Sequence, residues 1–318
     1  MTDAAAGGEG QHVVVTVPTC GSPEGLARLL THLAEQVRDA AERARVTVVV
    51  VDNDPSERAR DTVARARRGG LAVEHVVEPT AGIPFARNAC VRAALARDAD
   101  ALIFLDDDEW PAPGWLAALL ATWQRTGADI VQGPARGVLP DDAPAWAARS
   151  GVFDKDRALP EAAPIRTAYS YNTLVARRVL DALGPTFDPV FRYTGSSDHH
   201  WFKQAAEAGM RAVWSPAALV YEEVGAHRAR LRWVLARGYR VGAGAARSAA
   251  LRRGALRAAP RVLALAVANG GYAVLRLVAS SWRRAAWVEG LRRAGIAAGL
   301  LVGGPRPPQE YRRRVHVR

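Results

Sequence analysis

Apolar and polar positions along this chain switch between two periods. Residues 13–17 (Val-Val-Val-Thr-Val) form a β-branched run that Pro18 ends, which predicts a first strand. Ser22-Pro23-Glu24 reads as a cap followed by proline in the first helical turn. Leu26, Leu29, Leu30, Leu33, Ala34 and Val37 then recur at helical spacing. The alternation continues with strands at 46–51, 73–77, 101–105 and 129–132, and with helices at 57–68, 85–96 and 115–123. From 134 to 165 it dissolves, with prolines at 134, 140, 144, 160 and 164, and predicts a long irregular loop able to cover a site. Regularity returns at 169–176, a helical pattern opens near Asp198, and 213–214 and 219–221 read as short strands. Strands alternating with helices at short spacing predict an α/β fold with a mainly parallel central sheet.

Composition bounds the class. With 318 residues, 49% hydrophobic and 24% charged, the chain is globular and holds one large or two modest domains. Cys20 and Cys90 are too few for a disulfide framework, so a reducing compartment is expected. The opening residues have neither the basic start nor the apolar core of a signal peptide; residues 1–11 are expected to be a flexible lead-in and the protein cytoplasmic.

Charge changes sign along the chain. Residues 225–318 hold 20 arginines against Glu289 and Glu310, a net +18, whereas the first 224 hold 23 basic and 30 acidic residues, a net −7. The expected division is an α/β domain over 12–240 and a basic amphipathic helical tail over 241–318, with two separate jobs. Arginines spaced among Leu, Val, Ala and Trp over 256–303 fit helices at an anionic bilayer surface better than nucleic acid, with Trp282 and Trp287 at headgroup level. A soluble subdomain or an oligomer interface is the competing reading. The longest uncharged stretch there, 262–275, is short of the ~20 residues a spanning helix needs. Attachment is therefore expected to be peripheral, at the inner face of the cell membrane.

The candidate chemistry sits at strand ends. The fourth strand runs straight into Asp106-Asp107-Asp108-Glu109, then Trp110 and Pro111. Adjacent carboxylates repel, and a hard cation is one way to compensate them. Pro18-Thr19-Cys20, Asp52-Asn53-Asp54 and Pro79-Thr80-Ala81-Gly82 end the other strands, and a parallel sheet gathers such ends on one rim. Neither GxGxxG after the first strand nor GxxxxGK[ST] occurs, so the glycine cradles of dinucleotide and P-loop sites are missing. Thr19 and the Asp52-Asn53 pair offer contacts for base or ribose, Arg87 can pair with a diphosphate, and Asp106 with Asp108 can take a divalent cation.

These motifs together resemble glycosyltransferase family 2, of GT-A fold, over about residues 12–240. Pro18-Thr19 resembles the turn closing the family's opening strand, with Cys20 and Gly21 where an aromatic and Asn are usual. Val51-Asp52-Asn53-Asp54 is similar to the base-contacting Val-Asp-Asp-Gly-Ser. Gly82 with Ala86-Arg87-Asn88-Ala89 matches the Gly and Ala-Arg-Asn near the nucleotide. Asp106-Asp107-Asp108 matches Asp-x-Asp, whose last Asp is the implied metal ligand and whose first lies near the ribose.

Gly195-Ser196-Ser197-Asp198 is similar to Gly-Gly-Glu-Asp, which makes Asp198 the implied base and puts Ser197 in place of Glu. Asn172 matches a family Asn. Ser197, His199, Glu222 and Trp110 are further candidates for contacts with the acceptor or behind the site. The stretch from Val220 to Arg240 resembles the bacterial exopolysaccharide subgroup. Ala229 stands where processive synthases have Gln before Arg232-Trp233, which implies one transfer rather than polymerisation.

The resemblance implies an inverting transfer from a nucleotide-diphosphate sugar to a hydroxyl of a glycan, lipid-linked or secondary-metabolite acceptor. The implied cofactor is Mn2+ or Mg2+. The alternatives are a sugar-phosphate nucleotidylyltransferase and an inactive membrane-associated scaffold of the same fold.

Overall fold

A computed structural model describes residues 10–279 and 284–303. The first half is β1 (His12–Thr19), α1 (Pro23–Asp39), β2 (Arg45–Asp52), α2 (Arg60–Arg68), β3 (Val73–Val77), α3 (Ile83–Leu95) and β4 (Ala101–Phe104). β3, β2, β1 and β4 lie side by side and parallel. Sheet residues alternate between two cores. Val13, Val15 and Val17 pack with Leu26, Leu29 and Leu33 of α1, while Val14 packs with Ala86 and Cys90 of α3. Helices on both faces are why these strands read as unbroken apolar runs. The register pairs Thr19 with Asp52 and Asp52 with Val77, so the polar strand ends do share one rim.

The second half adds β5 (Glu109–Pro111), α4 (Trp115–Thr126), β6 (Ile130–Gln132), β7 (Ala135–Val138), α5 (Ala145–Ser150), β8 (Thr173–Ala176), α6 (Arg177–Leu183), α7 (Ser197–Glu207), β9 (Ala212–Trp214) and β10 (Val220–Glu223). β8 inserts antiparallel between β4 and β6, giving a seven-stranded order β3-β2-β1-β4-β8-β6-β9. A small sheet, β5-β10-β7, stands beside it. Residues 134–165, expected to be irregular, therefore contain β7 and α5. The helix expected from residue 57 begins at Arg60, because Glu57 closes a turn on the Asp54 carbonyl at 2.9 Å.

α8 (Leu231–Arg253), α9 (Ala255–Ala279) and α10 (Arg284–Val302) form a helical arm. The domain boundary expected at 240, where the family resemblance ends, falls inside α8 and not at a change of element. α8 and α10 meet backbone to backbone. A Cβ at Gly238 would lie 2.3 Å from the Arg292 carbonyl, and one at Gly299 would lie 2.0 Å from that of Tyr239. Gly242 and Gly295 are equally tight, at 2.1 Å from Ile296 O and 2.4 Å from Leu235 O. Small residues four apart on both helices permit this approach. α9 leaves Leu256, Leu263, Val267, Val274 and Val278 exposed. Over Ala255–Val278 it is long and apolar enough to cross a membrane. That corrects the shorter span read from uncharged residues alone, since Arg257, Arg261 and Arg276 do not interrupt the helix. Trp287 is exposed, whereas Trp282 lies outside the described residues.

Candidate active site

The four carboxylates after β4 have four different surroundings. Asp107 accepts a hydrogen bond from Thr19 Oγ1 at 2.6 Å, tying the β1 and β4 ends together. Glu109 folds beneath the turn. It is 1% exposed, its Oε2 accepts from the Asp106 amide at 3.0 Å, and its Oε1 accepts no hydrogen bond, with Lys155 Nζ 3.9 Å away. Asp108 Oδ2 accepts from Arg228 Nη2 at 3.2 Å, while Arg228 Nη1 donates to Glu222 Oε1 at 3.2 Å. Lys155 Nζ lies 2.5 Å from the other Glu222 oxygen.

This network divides the acids electrostatically. Burial opposes the charge on Glu222, but Lys155, Arg237 and Arg228 together outweigh it and hold the carboxyl below its usual range. Burial pushes Asp106 up to about 7, against Arg87 and with help from Asp108. Burial and then Glu222 also raise Asp108, and burial raises Glu109 well above a normal glutamate. Asp106 and Asp108 thus bring hard oxygen donors to the cleft, half-buried and each raised in pKa by neighbouring carboxylates as well as by burial, which fits a divalent cation. Among the described residues no three His, Cys, Asp or Glu side chains gather as a closed metal cage. Mg2+ and similar ions commonly need only one or two carboxylates plus substrate phosphates.

Arg87 projects from the start of α3. Gly82, at φ 132°, caps that helix, and its amide donates to Asn53 Oδ1 at 2.7 Å. A Cβ there would meet Arg192 Cγ at 2.7 Å. Arg87 Nη1 donates to Ser197 Oγ at 3.2 Å, and its buried Nε has no hydrogen-bond partner. Asp198 lies in the first turn of α7, just after Gly195 and Ser196, both at φ 72°. α8 presses on this turn, since a Cβ at Gly244 would lie 2.0 Å from Ser196 Oγ. His200 Nδ1 lies 3.1 Å from Ser248 Oγ and pins α7 to α8. His199 stacks on Tyr169, which stacks on Tyr171, at 6.1 and 6.0 Å between centroids. Burial pushes the His199 pKa down to about 4, so the ring is neutral near pH 7.

Two cavities open along the rim. The smaller, about 460 Å³, is walled by Pro18, Thr19, Cys20, Asn53, Gly82 and Asp107 among others. The larger, about 850 Å³, contains Asp198, His199, Tyr169, Lys155, Glu222 and residues of all three arm helices. Arg87, Asp106, Asp108 and Arg228 belong to both.

Five expected site residues do not reach either cavity wall. Asp52 turns back into its own loop, accepting from the amides of Asp54 and Ala59 and meeting His75, each at 3.1 Å. Asn88 is spent on the Phe187 backbone, at 3.0 and 2.8 Å. Asn172 donates to the carbonyls of Pro134 and Ala218 and accepts from Trp115 Nε1. Ser197 is fully buried behind Arg87. Trp110 stacks on Tyr221 and carries Arg28 over its ring at 4.1 Å, contacts that take the ring surface a sugar platform needs. Glu222 reaches the larger cavity as a partner of Lys155 and Arg228. The sequence reading missed Lys155 and His227, the latter on the wall of the smaller cavity, and gave Arg228 no role in the site. Lys155 carried one usable signal, as one of two lysines among 43 basic residues.

Residues 14–184 match the sequence model of glycosyl transferase family 2. Over 295 residues the chain is 35% identical to the succinoglycan biosynthesis protein ExoM of Rhizobium meliloti (strain 1021), covering 91% of this chain and 93% of that one. The mannosyltransferase PcManGT from Pyrobaculum calidifontis, solved with GDP-Man and Mn2+, superposes with a TM-score of 0.57 at 22% identity, over 92% of this chain and 87% of that one. Residues 1–349 of S. aureus TarS superpose at 0.50 with 17% identity, over 89% of each chain. Fold and relatives define the class, a glycosyltransferase of GT-A fold. Within that class, the chain belongs to glycosyl transferase family 2.

Proposed function

We propose that the protein is an inverting, metal-dependent glycosyltransferase of polysaccharide biosynthesis. It moves one sugar from a nucleotide-diphosphate sugar to a hydroxyl of a glycan or lipid-linked acceptor. The observation that carries this reading is the shared wall: Arg87, Asp106 and Asp108 line both cavities, whereas Asp198 lines only the larger. The nucleotide then belongs in the smaller cavity, beside Thr19, Cys20 and Asn53, and the acceptor in the larger.

Asp198 takes the proton from the acceptor hydroxyl as that oxygen attacks the anomeric carbon. The bond to the donor phosphate breaks, and its electron pair leaves with the nucleoside diphosphate. Attack opposite the leaving group inverts the anomeric centre. Arg87, oriented by Ser197, compensates the charge growing on the diphosphate. Asp106 and Asp108 would hold Mn2+ or Mg2+, which when bound supplies Lewis-acid stabilisation of the same leaving group. Lys155 keeps Glu222 ionised beside Arg228 and so holds that arginine at the cleft.

ExoM's part in succinoglycan biosynthesis, and the GDP-Man, Mn2+ and UDP bound in the PcManGT and TarS structures, support this reading. Ala229, at the position where processive enzymes carry Gln, supports a single transfer. The exposed apolar face of α9 among arginines supports attachment of the arm to the cytoplasmic face of an anionic membrane. The test is a panel of nucleotide sugars with Mn2+ or Mg2+ and candidate acceptors. Metal-dependent donor consumption is expected, and its loss in Asp108→Ala and Asp198→Asn. If no donor is bound or consumed under any of these conditions, the reading fails.

A further inference from the structure

The carboxylate proposed to hold the cation already has a cationic partner of its own. Asp108 Oδ2 accepts from Arg228 Nη2 at 3.2 Å, and Arg228 Nη1 donates to Glu222 Oε1 at 3.2 Å. One guanidinium thus spans two carboxylates, with one nitrogen on each. Both contacts are longer than the about 2.7–2.9 Å usual between such charges.

The two ends of this bridge are held differently. Glu222 is fixed from its other side by Lys155, whose Nζ lies 2.5 Å from Oε2. Lys155 is itself fastened through its backbone, which exchanges hydrogen bonds with Ala135 at 2.7 and 3.3 Å, and its ammonium lies 4.3 Å from the Tyr171 ring centre. The Asp108 side chain is 30% exposed, against 10% for Glu222. Arg228 therefore gives up Asp108 more readily than Glu222, and its Glu222 anchor keeps it in the wall common to both cavities.

A guanidinium and a divalent cation on one carboxylate repel each other, and the bare protein supplies little to offset that. Donor phosphates do, because their oxygens complete the cation's shell and carry the opposite charge. We infer that Arg228 competes with the divalent cation for Asp108, so that the protein without donor holds the cation poorly and takes it up together with the nucleotide. The inference rests on the transferase reading above and specifies how its cation site is kept closed until a donor arrives.

The test uses the full chain and follows Mn2+ binding by electron paramagnetic resonance. Mn2+ is titrated alone and with whichever of GDP, UDP, ADP, CDP and dTDP the wild type binds. Arg228→Gln should bind Mn2+ alone about tenfold more tightly than the wild type, and the factor by which the nucleotide strengthens Mn2+ binding should shrink. Arg228→Lys, which keeps a cation at the position, should stay within about threefold of the wild type. Asp108→Ala/Arg228→Gln should lose the gain, which assigns it to Asp108. If Arg228→Gln does not fold, Arg228→Met is read the same way. Weaker Mn2+ binding in Arg228→Gln would make the arginine an orienting partner of Asp108, and unchanged binding would mean that arginine and cation do not compete; either overturns the inference. So does an equal gain in Arg237→Gln, which would trace the effect to the general charge of the wall. Failure of the wild type to bind any of the five nucleotides, with or without Mn2+, instead overturns the transferase reading.

Discussion

The two cavities share a wall but are built by different means. The smaller is made wholly from residues 18–228, chiefly strand ends and the connections that follow them. The larger borrows one side from α8, α9 and α10, which reach it only after the α/β domain is complete. On the proposed assignment, donor binding follows from the topology of a parallel sheet, while acceptor binding depends on where an appended arm is held.

The strongest test of that division is Asp198→Asn. Transfer should fall by about 10²–10⁴-fold, the usual share of a general base, with nucleotide-sugar affinity nearly unchanged. Equal losses in binding and turnover would erase the distinction between the cavities. Asp108→Ala acts on the shared wall, so donor affinity and transfer should fall together. Transfer should drop by about 10²–10³-fold, and stimulation by added Mn2+ should vanish; retained stimulation would move the cation elsewhere.

Gly244→Val tests how the arm is seated. With no room beside Ser196, it should cost about 1–3 kcal/mol in urea unfolding and depress transfer more than donor binding. A smaller but specific effect belongs to His199. Burial holds its folded pKa at about 4 against the ordinary 6.5, so between those values the unfolded chain takes up a proton that the folded chain does not. Its stabilising contribution is complete above 6.5 and is lost as pH falls toward 4. The thermal midpoint of the wild type should therefore drop more steeply over that window than that of His199→Gln, and parallel curves would exclude this role. The mildest change for the catalytic half is Leu263→Glu/Val267→Glu/Val274→Glu. Sedimentation with anionic vesicles should be lost while donor binding and thermal stability persist; unchanged sedimentation would remove α9 from the membrane contact.

What was legible in the sequence was largely the wall of the smaller cavity. Apolar runs that break abruptly at Pro18, Asp52 and Asp106 mark strand ends, and a parallel sheet leaves little choice about where those ends meet. Side-chain direction was not legible: Asp52, Asn88 and Asn172 have the right residue types near the right turns, yet each spends its polar atoms on backbone or neighbouring side chains. Period alone could not reveal that β8 runs antiparallel, because Thr-Leu-Val-Ala reads the same in either direction. Arg228 was read only as part of the subgroup-like stretch and of the tail's charge, whereas it bridges Asp108 and Glu222. The four-residue glycine spacing at Gly238 and Gly242, matched by Gly295 and Gly299, was present as a signal of helix pairing and went unread.

Those glycines have a consequence for how such enzymes diversify. A joint made of side chains can absorb drift, because a neighbour can change rotamer when one partner changes size. The α8–α10 joint has no such slack, since carbonyls sit where side chains would be. The arm can therefore be inherited or exchanged only as a whole, with both glycine strips in register. A chimera that takes α8 from one relative and α10 from another should misalign the acceptor wall even where every side chain of that wall is retained.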